Sequence, residues 1–237
     1  MSLAPRLVRW TILALAAVIH FGAIVMTSNA GDLGDMLLHA ASTGDAAEVD
    51  KLIAGRAPLD ARNMQGETAL LIAVQRGDEA IAKALIAAGA DINSQAANKD
   101  TPWLLAGASG HTEMLRDMAP KGPDFSIRNR YGGNALIPAC ERGHVETVRF
   151  LVTTGIDVNH VNDLGWTGLM EAVVLADGGP RHQEIIRVLL ANGADPNIAD
   201  KDGVTALAHA RLMGQTEVAT ILAAAGGMQG RRETGGG

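Results

Sequence analysis

Cysteine is almost missing from this 237-residue chain: Cys140 stands alone, so no disulfide can form within it. Arg142 and His144 lie close enough in sequence to activate a thiol if Cys140 were exposed. Its other reading is a small buried core residue. Aromatic residues are also scarce, at 3%, with one tyrosine in the whole chain. A core made from this composition rests on small and aliphatic side chains. Positive charge is in deficit, with 20 Lys and Arg against 26 Asp and Glu and a formal net charge of −6. That excludes the basic stripe a nucleic-acid surface requires, so no nucleic-acid partner is expected. The signatures of common chemistry are missing too. The chain contains neither G-x-x-x-x-G-K-[ST] nor G-x-S-x-G. Asp200-Lys201-Asp202-Gly203 resembles the start of a calcium loop, but Thr205 and Arg211 stand where Gly and Glu are needed. No metal, cofactor or catalytic residue is expected.

One long apolar run is present, at residues 10–26 (WTILALAAVIHFGAIVM). Arg6 and Arg9 precede it and Thr27-Ser28-Asn29-Ala30 follows. A basic start, an apolar core and small residues at Ser28 and Ala30 fit a signal peptide cleaved after Ala30. The same run, if kept, fits a short N-terminal membrane anchor. Both readings place the remainder across a membrane: periplasmic, or anchored to the inner membrane and facing the periplasm. Any contact with a membrane is expected only through residues 1–30. No acidic residue precedes Asp32, so loss of the two leader arginines takes the net charge from −6 to −8.

What fills the rest is a repeat. Residues 66–93 read GETALLIAVQRGDEAIAKALIAAGADIN, and the pattern returns at a shift of 33. Taking Thr68 as a helix start, its counterparts are Asp35, Thr101 and Asn134, then Thr167 and Thr205 after five inserted residues. Two positions on stand Leu37, Leu70, Trp103, Leu136, Leu169 and Leu207. Five positions on, every unit has alanine: Ala40, Ala73, Ala106, Ala139, Ala172 and Ala210. A glycine follows at Gly44, Gly77, Gly110, Gly143 and Gly214, and an exit aspartate at Asp91, Asp124, Asp157 and Asp195. Each helix-start residue can accept a backbone N–H as an N-cap. The glycines suit a left-handed turn. The exit aspartates can bond an N–H two residues on. Pro120 must end the second helix of its unit early. His111 and His144 share one slot a period apart; neighbouring helices stack at ~8–10 Å, too far for two ~2 Å bonds to one zinc ion.

With Thr101-Pro102-Trp103-Leu104-Leu105-Ala106 opening one helix, and Gly89-Ala90-Asp91-Ile92-Asn93 and Gly193-Ala194-Asp195-Pro196-Asn197 as exits, the chain resembles the ankyrin repeat family. The resemblance implies an all-α repeat solenoid: stacked helix-turn-helix units with short β-hairpin-like fingers. The organisation expected is a leader at 1–30 and six repeats across 31–226, at about 34–63, 64–96, 97–129, 130–162, 163–200 and 201–226. A disordered Gly-rich tail at 227–237 completes it. The histidine of the family's T-P-L-H-x-A motif is replaced throughout by Leu38, Leu71, Leu104, Ile137, Met170 and Ala208, so apolar packing is expected at that position.

The resemblance also implies where a partner binds: on the concave groove, at finger tips and exposed faces of the first helices. Those positions are Met64, Gln65, Glu67, Gln75 and Arg76; Asn98, Asp100 and Ser109; Arg130, Tyr131, Glu141 and Arg142; Leu164 and Trp166; and Lys201, Asp202 and Val204. Tyr131 and Trp166 fall on adjacent finger tips, and with Arg130, Arg142 and Leu164 would form an amphipathic patch. The insertion around residues 176–180 is either a tolerated loop or a contact loop at the groove's edge. The function implied is a non-catalytic scaffold in the cell envelope that holds another protein. The alternative is an accessory or protective factor for an envelope enzyme, for example in stress defence.

Overall fold

The computed structural model describes residues 30–230. The leader reading, apart from Ala30, and the Arg231-Arg232 part of the tail lie outside the described residues. Among the described residues there are twelve α-helices in six antiparallel pairs: α1 (Ala30–Thr43) with α2 (Ala46–Ala54), α3 (Ala69–Arg76) with α4 (Glu79–Ala88), α5 (Pro102–Ser109) with α6 (Thr112–Met118), α7 (Leu136–Glu141) with α8 (Val145–Leu151), α9 (Gly168–Val174) with α10 (Pro180–Ala191), and α11 (Ala206–Leu212) with α12 (Thr216–Ala224). First helices pack on first helices of adjacent units and second helices on second, so contacts run from each pair to its neighbours along a line. Among the described residues no strand forms, and no helix is long and apolar enough to cross a membrane.

Small residues set the spacing. The six repeat alanines are at most 3% exposed, and the leucine or tryptophan two positions after each helix start is buried as well. The residues replacing the family's histidine are all buried and apolar, as expected. Four threonines cap their helices: Thr68, Thr101, Thr167 and Thr205 each accept the N–H three residues on. Asn134 does the same for Ile137 and also accepts from Leu136. Asp35 departs from this. It is exposed within α1, which starts at Ala30 and continues through it because Leu33 and Leu37 already face the core.

The fingers are closed turns of hairpin type. The residue pairs Asn63–Glu67, Ala96–Asp100, Asn129–Gly133, Asn162–Trp166 and Asp200–Val204 each close one by a backbone N–H to carbonyl bond. In four of them the first residue's Oδ1 also accepts two N–H groups across the tip: Asn63 from Gln65 and Glu67, Asn129 from Tyr131 and Gly133, Asn162 from Leu164 and Trp166, Asp200 from Asp202 and Val204. The exit aspartates bond as expected, Asp91 to Asn93 N–H and Asp195 to Asn197 N–H among them. Pro120 ends α6 in a short 3₁₀ turn, Ala119–Lys121.

The tail departs from its expected disorder at residues 227–230. Thr205 donates to the Met228 carbonyl, Asn197 accepts the Met228 N–H, and Gly227 N–H bonds to Leu222. Asn197 thus receives from the chain's own continuation the N–H that Asn93 and Asn159 receive from the next unit's exit aspartate.

Gly110 ends α5 at φ +76°, and a Cβ there would stand 2.7 Å from His144 Nδ1 in the next unit. Left-handed backbone costs a side-chain-bearing residue about 1–2 kcal/mol, and the contact adds to it. Gly110→Ala should therefore lower unfolding free energy by about 1–3 kcal/mol in urea titrations. In a His144→Ala background the loss should shrink toward the backbone share alone. Equal losses in both backgrounds would show that the inter-repeat contact carries no weight.

Candidate functional site

The groove of units three to five gathers charge, exposed apolar surface and two adjoining cavities. The larger, about 260 Å³, is lined by residues including Tyr131, Ile137, Pro138, Glu141, Asn162, Leu164, Glu171 and Leu175. The smaller, about 120 Å³, lies toward unit three between Asp100, Leu104 and Ala108. Arg130, Tyr131, Glu141 and Arg142 border both. Larger clefts lie elsewhere but lack this convergence. One of about 340 Å³ between α8 and α10 is lined by Arg149, Glu184 and Arg187, which pair with one another. Two more lie at the ends of the described stack, beside α1–α2 and α11–α12.

Tyr131, Leu164 and Leu175 stand about half exposed around the larger cavity, at 53%, 52% and 50%. Tyr131 and Leu164 ride on finger tips fixed by Asn129 and Asn162, and the Asp163 N–H bonds to the Tyr131 carbonyl, locking one tip to the next. The Arg130 guanidinium lies 4.9 Å above the Tyr131 ring and 3.9 Å from Asp100 Oδ2. Burial raises the Asp100 carboxyl above its usual value against the opposing pull of Arg130 and Arg142.

Glu171 is the unexpected member. It sits four residues after Thr167 and is only 5% exposed. Asn162 Nδ2 donates to its Oε1 at 2.8 Å. Burial first, then the neighbouring negative charge of Glu141, push its pKa to about 7, with Asn162 pulling the other way. Cys140 lies beneath, fully buried, its thiol raised by burial and by Glu171. That is the behaviour of a core residue and leaves no reactive thiol in the groove.

The sequence-predicted positions divide. Met64, Gln65, Asn98, Arg130, Tyr131 and Leu164 are exposed. Glu67 and Gln75 bond to each other at 2.7 Å, far from the cavities. Arg76 and Arg142 are exposed yet tied to the preceding unit, Arg76 to the Ser42 carbonyl and Arg142 to the Ala108 carbonyl, so both help to register the stack. Trp166 is half-buried and packs on the core, which corrects its placement with Tyr131 as a free tip aromatic. Sequence reasoning missed Glu171, Asn162 and Leu175. The signal for Glu171 was a carboxylate in the slot held by Ile72, Leu105 and Pro138 in units two to four.

The five inserted residues are anchored at both sides. Gln215 Nε2 donates to the Val173 and Ala176 carbonyls, and His182 Nε2 bonds to the Glu141 carbonyl at 3.0 Å. Leu175, the C-cap of α9 just before the insertion, supplies one wall of the larger cavity. Among the described residues, no group of three or more His, Cys, Asp or Glu is placed to hold a metal ion.

A carboxyl that holds its proton more tightly folded than unfolded stabilises the fold where the native state binds the extra proton. Glu171 therefore contributes most below the ordinary glutamate range, and that contribution is lost as pH rises through about 7. Its opening onto the groove limits the size to about 1–2 kcal/mol. Urea titrations of the wild type should show this fall between about pH 4 and 7, and Glu171→Gln should remove it. A variant with the same pH slope as the wild type would place the titration elsewhere.

Comparison with known proteins agrees with this architecture. The family model "Ankyrin repeats (3 copies)" matches residues 14–96 and 103–200. The "Putative ankyrin repeat protein YahD" of Escherichia coli (strain K12) is 51% identical over 65 residues, 27% of this chain and 32% of that protein, so the match spans about a third of that relative's length. An ankyrin repeat domain from Acinetobacter baumannii AYE superposes with a TM-score of 0.78 at 46% identity, over 81% of this chain and 98% of that one. The ankyrin repeat domain of Bcl-3 superposes with a TM-score of 0.72 at 26% identity, over 81% of this chain and 86% of its own. Ankyrin repeats generally mediate protein–protein interaction, and proteins built from them are typically non-catalytic scaffolds. A family match over more than half the length, on six helix pairs with the expected caps and turns, means that this chain belongs to the ankyrin repeat family.

Proposed function

We propose that this chain is a non-catalytic interaction module of the cell envelope that holds another exported protein in the concave groove of units three to five. The observation that carries this reading is the trio Tyr131, Leu164 and Leu175, half exposed around one cavity and flanked by Arg130 and Arg142. Aromatic and arginine side chains at the centre of a concave surface are the usual anchors of protein interfaces. Apolar residues grouped in this way, in a chain with few aromatics, favour contact with a partner over solvation. The finger tips are pre-set by the Asn129 and Asn162 bonds, so little ordering is required on binding. The envelope location is supported by the basic start, the apolar run at 10–26 and the small residues Ser28 and Ala30.

Cross-linking in intact cells tests the reading. Tyr131→Ala with Leu164→Ala should abolish the cross-linked partner band while keeping unfolding free energy within about 1 kcal/mol of wild type. Trp166→Ala should instead destabilise the fold by about 1–3 kcal/mol, because its ring packs on the core. Undiminished capture by the Tyr131/Leu164 variant would move the binding surface elsewhere. Fractionation with mass measurement of the N-terminus tests the location: an intact leader on a cytoplasmic protein would rule it out.

A further inference from the structure

The charges of the groove are unevenly matched. On the unit-three side the cations have company. Arg130 lies over Tyr131 and faces Asp100, and Arg142 donates to the Ala108 carbonyl. On the unit-five side two carboxylates, Glu141 and Glu171, share the larger cavity. The elements packed against α9 are α7, α10 and α11. From α7 come Glu141 and Cys140. From α11 come His209, bonded to Asp200 at 2.7 Å, and Arg211, bonded to Gln229. From α10 come His182, bonded to the Glu141 carbonyl, and Arg181, which lies over Gly143. His182, His209 and Arg211 are thus engaged elsewhere. Its Oε1 is held by Asn162, and its Oε2 has no hydrogen-bond partner among the described residues.

The cavity's size and walls narrow what completes this arrangement. At about 260 Å³ it falls below the ~300–1,000 Å³ usual for small-molecule sites, and it has room for one side chain. Its apolar walls are Tyr131, Ile137, Pro138, Leu164 and Leu175 and its carboxylates are Glu141 and Glu171, while Arg130 and Arg142, already engaged with Asp100 and the Ala108 carbonyl, stand on the side it shares with the smaller cavity. An apolar sleeve ending in negative charge matches a methylene stem carrying a cation. We propose that this cavity receives a lysine or arginine side chain from an extended segment of the partner protein, its stem against Tyr131, Leu164 and Leu175 and its charge against Glu171 and Glu141. This rests on the groove reading above and deepens it. Cation binding favours the ionised Glu171, so docking releases its proton and strengthens as pH rises through about 7.

Carbon-13 NMR of the glutamate carboxyls and isoleucine methyls of the purified chain tests this. The probes are the N-acetyl methylamides of lysine, arginine and norleucine, the last carrying a similar stem without the charge. The lysine or arginine probe should shift the Glu171 and Ile137 signals saturably. Its binding should be about tenfold tighter at pH 8 than at pH 6, the ratio of ionised carboxylate for a group titrating near 7. Norleucine should shift neither signal, and Glu171→Gln and Glu141→Gln should each weaken the response. Equal binding of norleucine, an unchanged response in Glu171→Gln, or a response to calcium chloride alone would overturn the proposal. Cell cross-linking separates the two readings. Capture lost with Tyr131→Ala/Leu164→Ala but kept with Glu171→Gln, alongside unresponsive NMR, sinks the pocket and leaves the groove. Capture kept in the double variant while the purified chain binds the lysine probe sinks the groove reading and leaves the pocket's chemistry.

Discussion

A single helix pair of this chain cannot cover its own apolar face; it is buried only when the next pair lies against it. The alanine seam makes that approach possible. Ala73, Ala106, Ala139 and Ala172 stand where a larger side chain would push neighbouring first helices apart, and all are fully buried. Elsewhere the seam closes further still: a Cβ on Gly107 would meet the Ala135 carbonyl at 2.7 Å. Packing this tight transmits any change of volume to the adjoining unit, because interiors at crystal density have no slack. Caps, turns and cross-finger bonds then register units that the seam has already brought together.

Because the seam fixes where each unit lies, every position in the period has an address on the surface. The position four residues past the helix start reaches the finger turn in units five and six. Apolar residues fill it at Ile72, Leu105 and Pro138. In unit six the same slot holds His209 bonded to Asp200, a polar pair closed within its own unit. In unit five it holds Glu171, bonded to Asn162 through one oxygen only. One scaffold position thus gives packing, a closed polar pair or a carboxylate bonded through one oxygen, depending on one side chain. Function on a repeat scaffold arises from such substitutions at fixed addresses.

The period, the caps at Thr68, Thr101, Thr167 and Thr205, and the glycine turns were all legible in sequence, since each follows from local backbone chemistry. So was the exposure of Tyr131 and Leu164 at finger tips. What escaped was where long side chains lie. Arg76 and Arg142 reach back 34 residues to carbonyls of the preceding unit, and nothing in their own unit announces it. Trp166 closes its finger in the slot held by Gly133 one unit earlier and packs on the core, whereas Tyr131, in the slot of Leu164, is exposed. Glutamate is a residue type found mostly at the surface, so nothing local marks Glu171 as buried. Asn162 and Glu141, which border the same cavity, come from segments that meet Glu171 only in the stack.

The insertion shows why these features belong together. Free loops lengthen cheaply, but a free loop would leave the groove's edge undefined. Here Gln215 from unit six holds the end of α9 at the Val173 carbonyl and the inserted segment at the Ala176 carbonyl, and His182 from the helix after it holds the Glu141 carbonyl. The same ties set Leu175 at one edge of the cavity and fix the backbone of a carboxylate at its floor. A groove whose walls are already held loses little conformational entropy when a partner enters, so more of the contact energy appears as affinity. The five residues that break the period therefore act as a rigid edge. They depend on units four and six to be rigid, and that dependence couples the shape of the cavity to the stacking of three successive repeats.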